Sequence, residues 1–310
     1  MSKTFSIRTT CQTWACFTLF SMTPLVGVVG QDVSEDGAKA ADATATADSP
    51  AEREVDLKMS PQYPLSVVVD ESDSSIYAVD LDLPGVWKIG ETTELFVRGS
   101  NLLRHPLNRP RCIAIDPTGG IFVGDSPTRE IYRIASAGAE LVPLTAGYIG
   151  NPMAICLDAD QKTLYVGDAE KRATFKFPVE GGKPELVARV NARGLAFDDD
   201  GNLWAVTPDA NAVVKIDVAT GEVTNVITDR PYQFPTGLAW SGDEGFVTDN
   251  YGKTIWRFTA DGKTEKWYEG APLVGPVGIA ATKDSIYVAD PKQKQIYQFD
   301  RKTKKAVERF

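Results

Sequence analysis

Two arginines occupy equivalent places in a repeated sequence pattern, and their side chains are the ones best suited to chemistry. Arg111 and Arg193 each come directly before a short run of apolar and small residues. A guanidinium keeps its charge at physiological pH, and its planar fork of donors matches a carboxylate or a phosphate. The two residues therefore predict an anion site, unless each arginine only pairs with a local acid such as Asp168 or Asp209.

Side-chain oxygens near the same pattern indicate a second kind of site. Asn151 and Asn191 each come two residues before the position that Arg111 and Arg193 occupy in the repeat, and Asp249 and Asn250 stand at the end of a later strand. Hard cations such as Ca²⁺ prefer carboxylate and amide oxygens. These four residues are therefore candidate ligands for Ca²⁺ or Zn²⁺ at a shifted metal site, although an Asn before Pro or Ala can also simply begin a turn.

Histidine chemistry has little support. The chain has a single histidine, His105, which excludes a His-rich zinc site and makes any Ser/His or Cys/His nucleophile depend on one residue. His105 lies in the polar segment from Arg104 to Arg109, where a lone histidine is typical of a solvated turn.

The candidate residues belong to six repeated segments, which begin near residues 64, 110, 152, 192, 235 and 276, between 40 and 46 residues apart. Each begins with a short strand, and two apolar and aromatic strands and a weaker fourth follow, separated by Gly, Pro, Asp and Asn. No window keeps an apolar period of about 3.6 residues. The pattern predicts an all-β fold, a six-bladed β-propeller with four antiparallel strands per blade.

The first strand of each repeat is expected to be the inner strand of a blade. Small residues such as Gly237 suit the crowded axis, and Leu195, Phe197, Leu238 and Trp240 are expected to pack between blades. The outer strand of the last blade is assigned either to residues 306–310 or, as a latch, to residues 55–59.

Two further features of the repeats are interpreted as structural. An acid precedes a base by eight residues in four blades, which predicts a carboxylate that caps a turn and pairs across the hairpin. These pairs are Asp80 and Lys88, Asp125 and Arg133, Asp168 and Lys176, and Asp249 and Arg257. Cys112 and Cys156 fall on inner strands of neighbouring blades, and we expect both to be reduced because their Cα atoms should lie more than about 7 Å apart.

The repeat resembles those of NHL-repeat propellers and of SMP-30/gluconolactonase-like propellers. The resemblance rests on Pro-x-Gly-Ile/Leu-Ala, then Ile-Tyr-Val-x-Asp, then Ile-x-Arg-Phe. The first two motifs occur in the segment that begins at Pro276, and the third occurs at Ile255. It covers residues 64–310 and implies the propeller fold more specifically than any function, since one fold hosts many functions.

The resemblance to SMP-30-like enzymes implies a divalent metal. In those enzymes Glu, Asn and Asp side chains hold it where the inner strands begin. The corresponding positions are Leu65, Arg111, Met153, Arg193, Thr236 and Val277. None carries a carboxylate or a carboxamide, and two arginines would repel a cation. We therefore expect no metal at these positions and place a ligand site at this mouth, formed by Arg111, Arg193, Asn151 and Asn191.

The expected function is that of an exported NHL-like binding module without catalysis, which takes a protein, a peptide or a small anion at its central mouth. The alternative is an SMP-30/gluconolactonase-like metal-dependent lactone hydrolase, and a structural module of an envelope assembly is a third possibility. Composition excludes nucleic acid as a partner, because the chain carries 33 Lys and Arg against 42 Asp and Glu, a net charge of −9. We expect a monomer.

Residues 1–30 have the features of a secretory signal peptide, with Lys3 and Arg8, a short apolar stretch and small residues near Gly30. Residues 31–58 hold eight acids and three bases and few apolar side chains, which predicts a flexible acidic linker before the propeller at 59–310. We therefore expect a secreted or periplasmic protein. No later segment reaches the roughly 18 apolar residues of a membrane helix, so no membrane span is expected in the mature chain.

Overall fold

Residues 60–310 are described in a computed structural model of the chain, where they form six four-stranded antiparallel sheets. The strands of each sheet are paired in the order in which they occur along the chain. Each inner strand contacts the inner strands of the two neighbouring sheets, and the first contacts the last, so the sheets close into a ring. The predicted all-β six-bladed propeller is confirmed.

The strands run from the axis outwards in each blade. Blades 1 and 2 contain β1 (Pro64–Asp70), β2 (Ser75–Asp80), β3 (Gly85–Ile89), β4 (Thr93–Arg98), β5 (Pro110–Ile115), β6 (Ile121–Asp125), β7 (Glu130–Ile134) and β8 (Val142–Pro143). Blades 3 and 4 contain β9 (Pro152–Leu157), β10 (Thr163–Asp168), β11 (Ala173–Pro178), β12 (Glu185–Ala188), β13 (Gly194–Phe197), β14 (Leu203–Val206), β15 (Val213–Ile216) and β16 (Val223–Ile227). Blades 5 and 6 contain β17 (Pro235–Ser241), β18 (Glu244–Asp249), β19 (Thr254–Thr259), β20 (Thr264–Glu269), β21 (Ile279–Ala281), β22 (Ser285–Asp290), β23 (Gln295–Asp300) and β24 (Ala306–Glu308).

The last blade takes its outer strand from the C-terminal segment. β24 pairs antiparallel with β23, and the side-chain amide of Gln295 donates to the backbone oxygen of Phe310 at 2.6 Å. This confirms the assignment of residues 306–310 to the sixth blade. The alternative latch at 55–59, the signal peptide at 1–30 and the linker at 31–58 lie outside the described residues. Between residues 60 and 310, no helix has the length and apolar character needed to cross a membrane.

Apolar layers between neighbouring blades hold the ring together. Each of six buried clusters combines side chains of two adjacent blades, and the cluster of Trp87, Ile89, Tyr287 and Ile296 joins the first blade to the last. Such burial stabilises a fold by about 25 cal/mol for each Å² of apolar surface removed from water. Closure of the ring therefore depends on side-chain packing between β2–β3 and β22–β23.

The prediction for the inner strands holds in most respects and needs one addition. Phe197 and Trp240 pack between blades, with the Trp240 ring stacked on Trp204 of the preceding blade at 4.8 Å between centroids. Leu195 and Leu238 also belong to layers between blades, but they line the axial cavity as well. The small residues allow neighbouring inner strands to approach, since a Cβ on Gly194 would lie closer than 3 Å to the backbone of the next blade.

Aspartates at the ends of the second strands fasten the loops that enter each blade. Asp168, which is fully buried, accepts hydrogen bonds from the backbone N–H groups of Gly150 at 2.8 Å and Asn151 at 3.0 Å, as well as from its own turn. Equivalent bonds reach Asp80, Asp125, Asp249 and Asp290. The predicted turn-capping role is thus observed.

The predicted pairing of these aspartates with bases across the hairpin is wrong. The tight turn places Asp80 opposite Gly85, so Lys88 lies further along the hairpin, opposite Tyr77. Lys88 instead pairs with Asp73 at 3.2 Å, and Arg133 pairs with Asp116, both at the other end of the blade.

Candidate functional site

A cavity of about 440 Å³ follows the axis of the ring and is lined by all six inner strands. Six equivalent side chains surround it where the inner strands begin, one from each blade, and all are half-buried. We call this set the mouth ring: Leu65, Arg111, Met153, Arg193, Thr236 and Val277. The sequence repeat thus places both predicted arginines at one end of one cavity.

Bulges in the inner strands present the mouth ring to the cavity. In four blades the pairing of the inner with the second strand skips one residue, namely Leu65, Arg111, Met153 or Thr236. A bulged residue leaves the ladder and its side chain is re-aimed, which is why bulges often occur at binding sites. In blade 4, Arg193 instead keeps a backbone bond from its N–H to the oxygen of Val206 at 2.8 Å.

Arg111 has no partner among the described residues for its buried Nε. Burial lowers the pKa of Arg111, and the positive charges of Arg109 and Arg193 act in the same direction. The guanidinium nevertheless stays charged, because the ordinary pKa of arginine lies far above neutral pH. A half-buried cation without an acidic partner attracts an anion.

Arg193 has the same character. Burial is also the main cause that lowers its pKa, opposed by the charge of Asp209. Asp209, however, accepts two hydrogen bonds from Arg172, at 2.9 and 3.0 Å. Asp168 is bonded to backbone N–H groups, so neither acid that could have neutralised the arginines pairs with them. Among residues 60–310, Arg111 and Arg193 form no ion pair.

The other two predicted mouth residues do not line the cavity. Asn151 accepts a hydrogen bond from the hydroxyl of Ser126 at 2.7 Å and so ties blade 3 to blade 2. Asn191 is buried, and its Oδ1 has no hydrogen-bond partner among the described residues. Arg111 and Arg193 therefore line the cavity, and the two asparagines do not.

The residues present do not fit a divalent cation. Both carboxylate oxygens of Asp249 accept backbone N–H bonds, and the amide of Asn250 lies 3.3 Å from the oxygen of Pro276. No group of three His, Cys, Asp or Glu side chains suited to a metal occurs between residues 60 and 310. The mouth ring itself offers two cations and no carboxylate, which is the wrong donor chemistry for Ca²⁺ or Zn²⁺.

Histidine and cysteine contribute no nucleophile to the mouth. His105 is exposed in the loop between blades 1 and 2 and does not line the cavity. Cys112 and Cys156 do line it and are both free thiols, as expected. Burial raises the pKa of both thiols, that of Cys112 to about 12, so both are protonated at neutral pH and are poor nucleophiles.

The structure adds one functional feature that the sequence analysis missed, the apolar members of the mouth ring. Met153 lies between the two arginine-bearing blades in ring order, and Leu65 and Val277 come from the adjacent blades 1 and 6. The signal was present in the repeat, because the same alignment that singled out the arginines also aligns these three residues.

Comparison with known proteins relates the chain to one family. The profile described as the SMP-30/gluconolactonase/LRE-like region matches residues 46–245. No curated protein sequence matches the chain.

Among solved structures, the chain is similar to the nidogen/laminin complex (16% identity, TM-score 0.64, 73% of this chain and 89% of that chain). It is also similar to virginiamycin B lyase from Staphylococcus aureus (15%, 0.61, 80% and 84%). A gluconolactonase from Xanthomonas campestris is similar to the same degree (14%, 0.61, 75% and 84%). At these identities the likeness concerns the fold.

Proposed function

The chain belongs to the SMP-30/gluconolactonase/LRE-like family, and we propose that it binds a small anion at the mouth of its axial cavity through Arg111 and Arg193. The observation that carries the proposal is that both guanidiniums line one cavity with no acidic partner among the described residues. A carboxylate or a phosphate between them would accept charge-assisted hydrogen bonds from both sides.

Electrostatics support an anion although the protein is acidic as a whole. The net charge of −9 repels anions at a distance, whereas two half-buried cations act at short range where water screens them less. A bound anion would also remove the energetic cost of leaving these cations partly desolvated and unpaired. Binding is therefore expected to be local to the mouth ring.

Calorimetric titration with inorganic phosphate and with butanoate tests this proposal. Arg111→Ala and Arg193→Ala should each weaken binding about tenfold or more, since a hydrogen bond to a charged group contributes about 1.5–3 kcal/mol. Arg129→Ala is the control, because Arg129 lies in the turn between β6 and β7, outside the cavity, and pairs with Glu170. Equal affinity of all three variants and the wild type, or no binding of either probe, would refute the proposal.

Family membership favours a second candidate, hydrolysis of a lactone. Its support is the profile match over residues 46–245 and the similarity to a gluconolactonase. Its difficulty is the mouth ring, which lacks the carboxylate and carboxamide oxygens expected to hold the metal of such a hydrolase. Assays of δ-gluconolactone hydrolysis with and without added Ca²⁺ and Zn²⁺ distinguish the two. Metal-dependent turnover would establish this candidate, and its absence under both conditions would remove it.

We also propose export of the protein, on the basis of residues 1–30. N-terminal sequencing of the protein from an extracellular or periplasmic fraction should find a start close to residue 31. A protein that keeps residues 1–30 and stays with the cytoplasmic fraction would contradict this.

A further inference from the structure

Apart from its two guanidiniums, the mouth ring offers few partners for hydroxyl groups, and this property restricts the anions that it can hold. Its two cationic members lie in blades 2 and 4, and three of the other four members are apolar, namely Leu65, Met153 and Val277. A ligand whose charged group reaches both arginines therefore places the rest of its body against hydrocarbon.

The one hydroxyl of the mouth ring is already used. Thr236 Oγ1 lies 3.1 Å from the backbone oxygen of Val277 and 3.2 Å from Thr248 Oγ1. Thr248 in turn donates to the same oxygen of Val277 at 2.6 Å. This network joins blades 5 and 6, so a ligand hydroxyl could use Thr236 only by displacing a bond between blades.

Several backbone positions at the mouth offer no free N–H group to a ligand. Proline precedes the mouth residue in five of six blades, at positions 64, 110, 152, 235 and 276, and proline has no N–H. The N–H groups of Arg193 and Val277 donate within their blades, to Val206 and Ala289.

Among the remaining polar side chains of the cavity, the Ser66 hydroxyl next to Leu65 lies near the mouth, and a single hydroxyl cannot pair with the several hydroxyls of a sugar acid. Asp158 and Gln161 line the cavity beyond the far end of an inner strand, five or more residues after Met153. At about 3.3 Å per residue, these groups lie more than about 15 Å along the strand from the mouth. Asp158 also accepts bonds from the backbone of Lys162 and Thr163.

We infer that the mouth selects carboxylates with an apolar body and disfavours polyhydroxylated sugar acids. The inference rests on the proposed anion site and adds the class of ligand. A hydroxyl that enters an apolar site without a hydrogen-bond partner loses its bonds to water, whereas a methylene at the same place gains by leaving water. Sugar acids and hydrocarbon acids of equal length therefore separate the two possibilities.

Hexanoate and gluconate provide the comparison, because both are six-carbon monocarboxylates that differ only in hydroxyl groups. Calorimetry on the full chain should find hexanoate bound at least about tenfold more tightly than gluconate, with acetate weaker than hexanoate. Equal or tighter binding of gluconate overturns the inference while leaving the anion site in place. If none of the three acids binds, the inference fails, and if inorganic phosphate does not bind either, the proposed function fails as well.

A variant with matched shape gives a second measurement. Met153→Gln keeps the unbranched side chain but adds an amide, and it should reduce the preference for hexanoate over gluconate by about threefold or more. Leu186→Gln is the control, since Leu186 is exposed on the outer strand β12 and does not line the cavity. An unchanged preference in a folded Met153→Gln protein would contradict the role assigned to the apolar part of the mouth ring.

Discussion

Arg172 pairs with Asp209 across the junction of blades 3 and 4, and this pairing leaves Arg193 as an unneutralised cation in the axial cavity. Arg172 donates to both oxygens of the Asp209 carboxylate, at 2.9 and 3.0 Å. The ion pair is exposed and contributes little to stability, about 0–1 kcal/mol. The ion pair matters for electrostatics. Asp209 lies close enough to Arg193 to raise the pKa of that guanidinium, and the charge of Arg172 opposes this effect.

Removal of Arg172 should therefore weaken anion binding although Arg172 is not part of the mouth ring. In Arg172→Ala, the Asp209 charge is no longer balanced and is expected to reduce the affinity for butanoate about threefold to fivefold at low salt. High salt should diminish the effect, and a further Asp209→Asn change should restore affinity. Calorimetry measures this, with Arg129→Ala as a control. Wild-type affinity in Arg172→Ala at low salt would contradict it.

The C-terminal strand should be required for the stability of the ring. Deletion of residues 305–310 removes β24 and the side chain of Phe310, which packs against the layer between blades 6 and 1. For a domain of this size 1 kcal/mol corresponds to about 2–4 °C, and we expect the melting midpoint to fall by more than about 5 °C. Deletion of residues 31–52 serves as the control and should leave it nearly unchanged. A midpoint unaffected by the first deletion would show that another segment closes the ring.

The contribution of Asp198 to the stability of the folded state should depend on pH in the acidic range. Burial acts to raise its pKa, but hydrogen bonds from Trp204, Asn202 and the backbone of Asp200 outweigh it and lower the pKa below the usual value. The bonds thus stabilise the folded state above about pH 4, and this contribution is lost as the pH falls through the lowered pKa. The difference in melting midpoint between wild type and Asp198→Asn should be present at pH 7 and shrink towards pH 2.

The matched control for this titration is Asp199→Asn, at an exposed neighbouring position. A difference between wild type and Asp198→Asn that is the same at pH 7 and pH 2 would contradict the linkage.

Both cysteines of the propeller should be reduced and unreactive in the native state. Alkylation of the denatured protein without reductant should label the peptides that contain Cys112 and Cys156, since both are free thiols. The native protein should label slowly at Cys112, whose pKa burial raises to about 12. Labelling of these peptides only after reduction would show that the two thiols form disulfides.

The architecture could be predicted because the repeat encodes it several times. The segments that begin at Pro64, Pro110, Pro152 and Pro235 start inner strands at those residues, whereas the strands of blades 4 and 6 start slightly later, at Gly194 and Ile279. Arg111 and Arg193 each follow the first residue of their repeat. This shared position was enough to predict that both lie at the same end of the axial cavity.

Partners of individual charges could not be predicted, because they depend on geometry between blades. Asp209 was a candidate partner of Arg193, yet its carboxylate pairs with Arg172 of the preceding blade. Asn151 was a candidate ligand, yet its side chain bonds to Ser126 of the neighbouring blade. The wrong partner predicted for Lys88 has another cause. The tight turn after Asp80 fixes the register of the hairpin, and the sequence analysis could have taken this register into account.

A crystal structure with 6-bromohexanoate tests the central claim most directly. The account predicts the carboxylate in the mouth ring, about 2.7–2.9 Å from guanidinium nitrogens of both Arg111 and Arg193, with the bromine located by its anomalous signal against the apolar side of the cavity. A carboxylate bound elsewhere, or no ligand at the mouth in crystals soaked at high concentration, would contradict it.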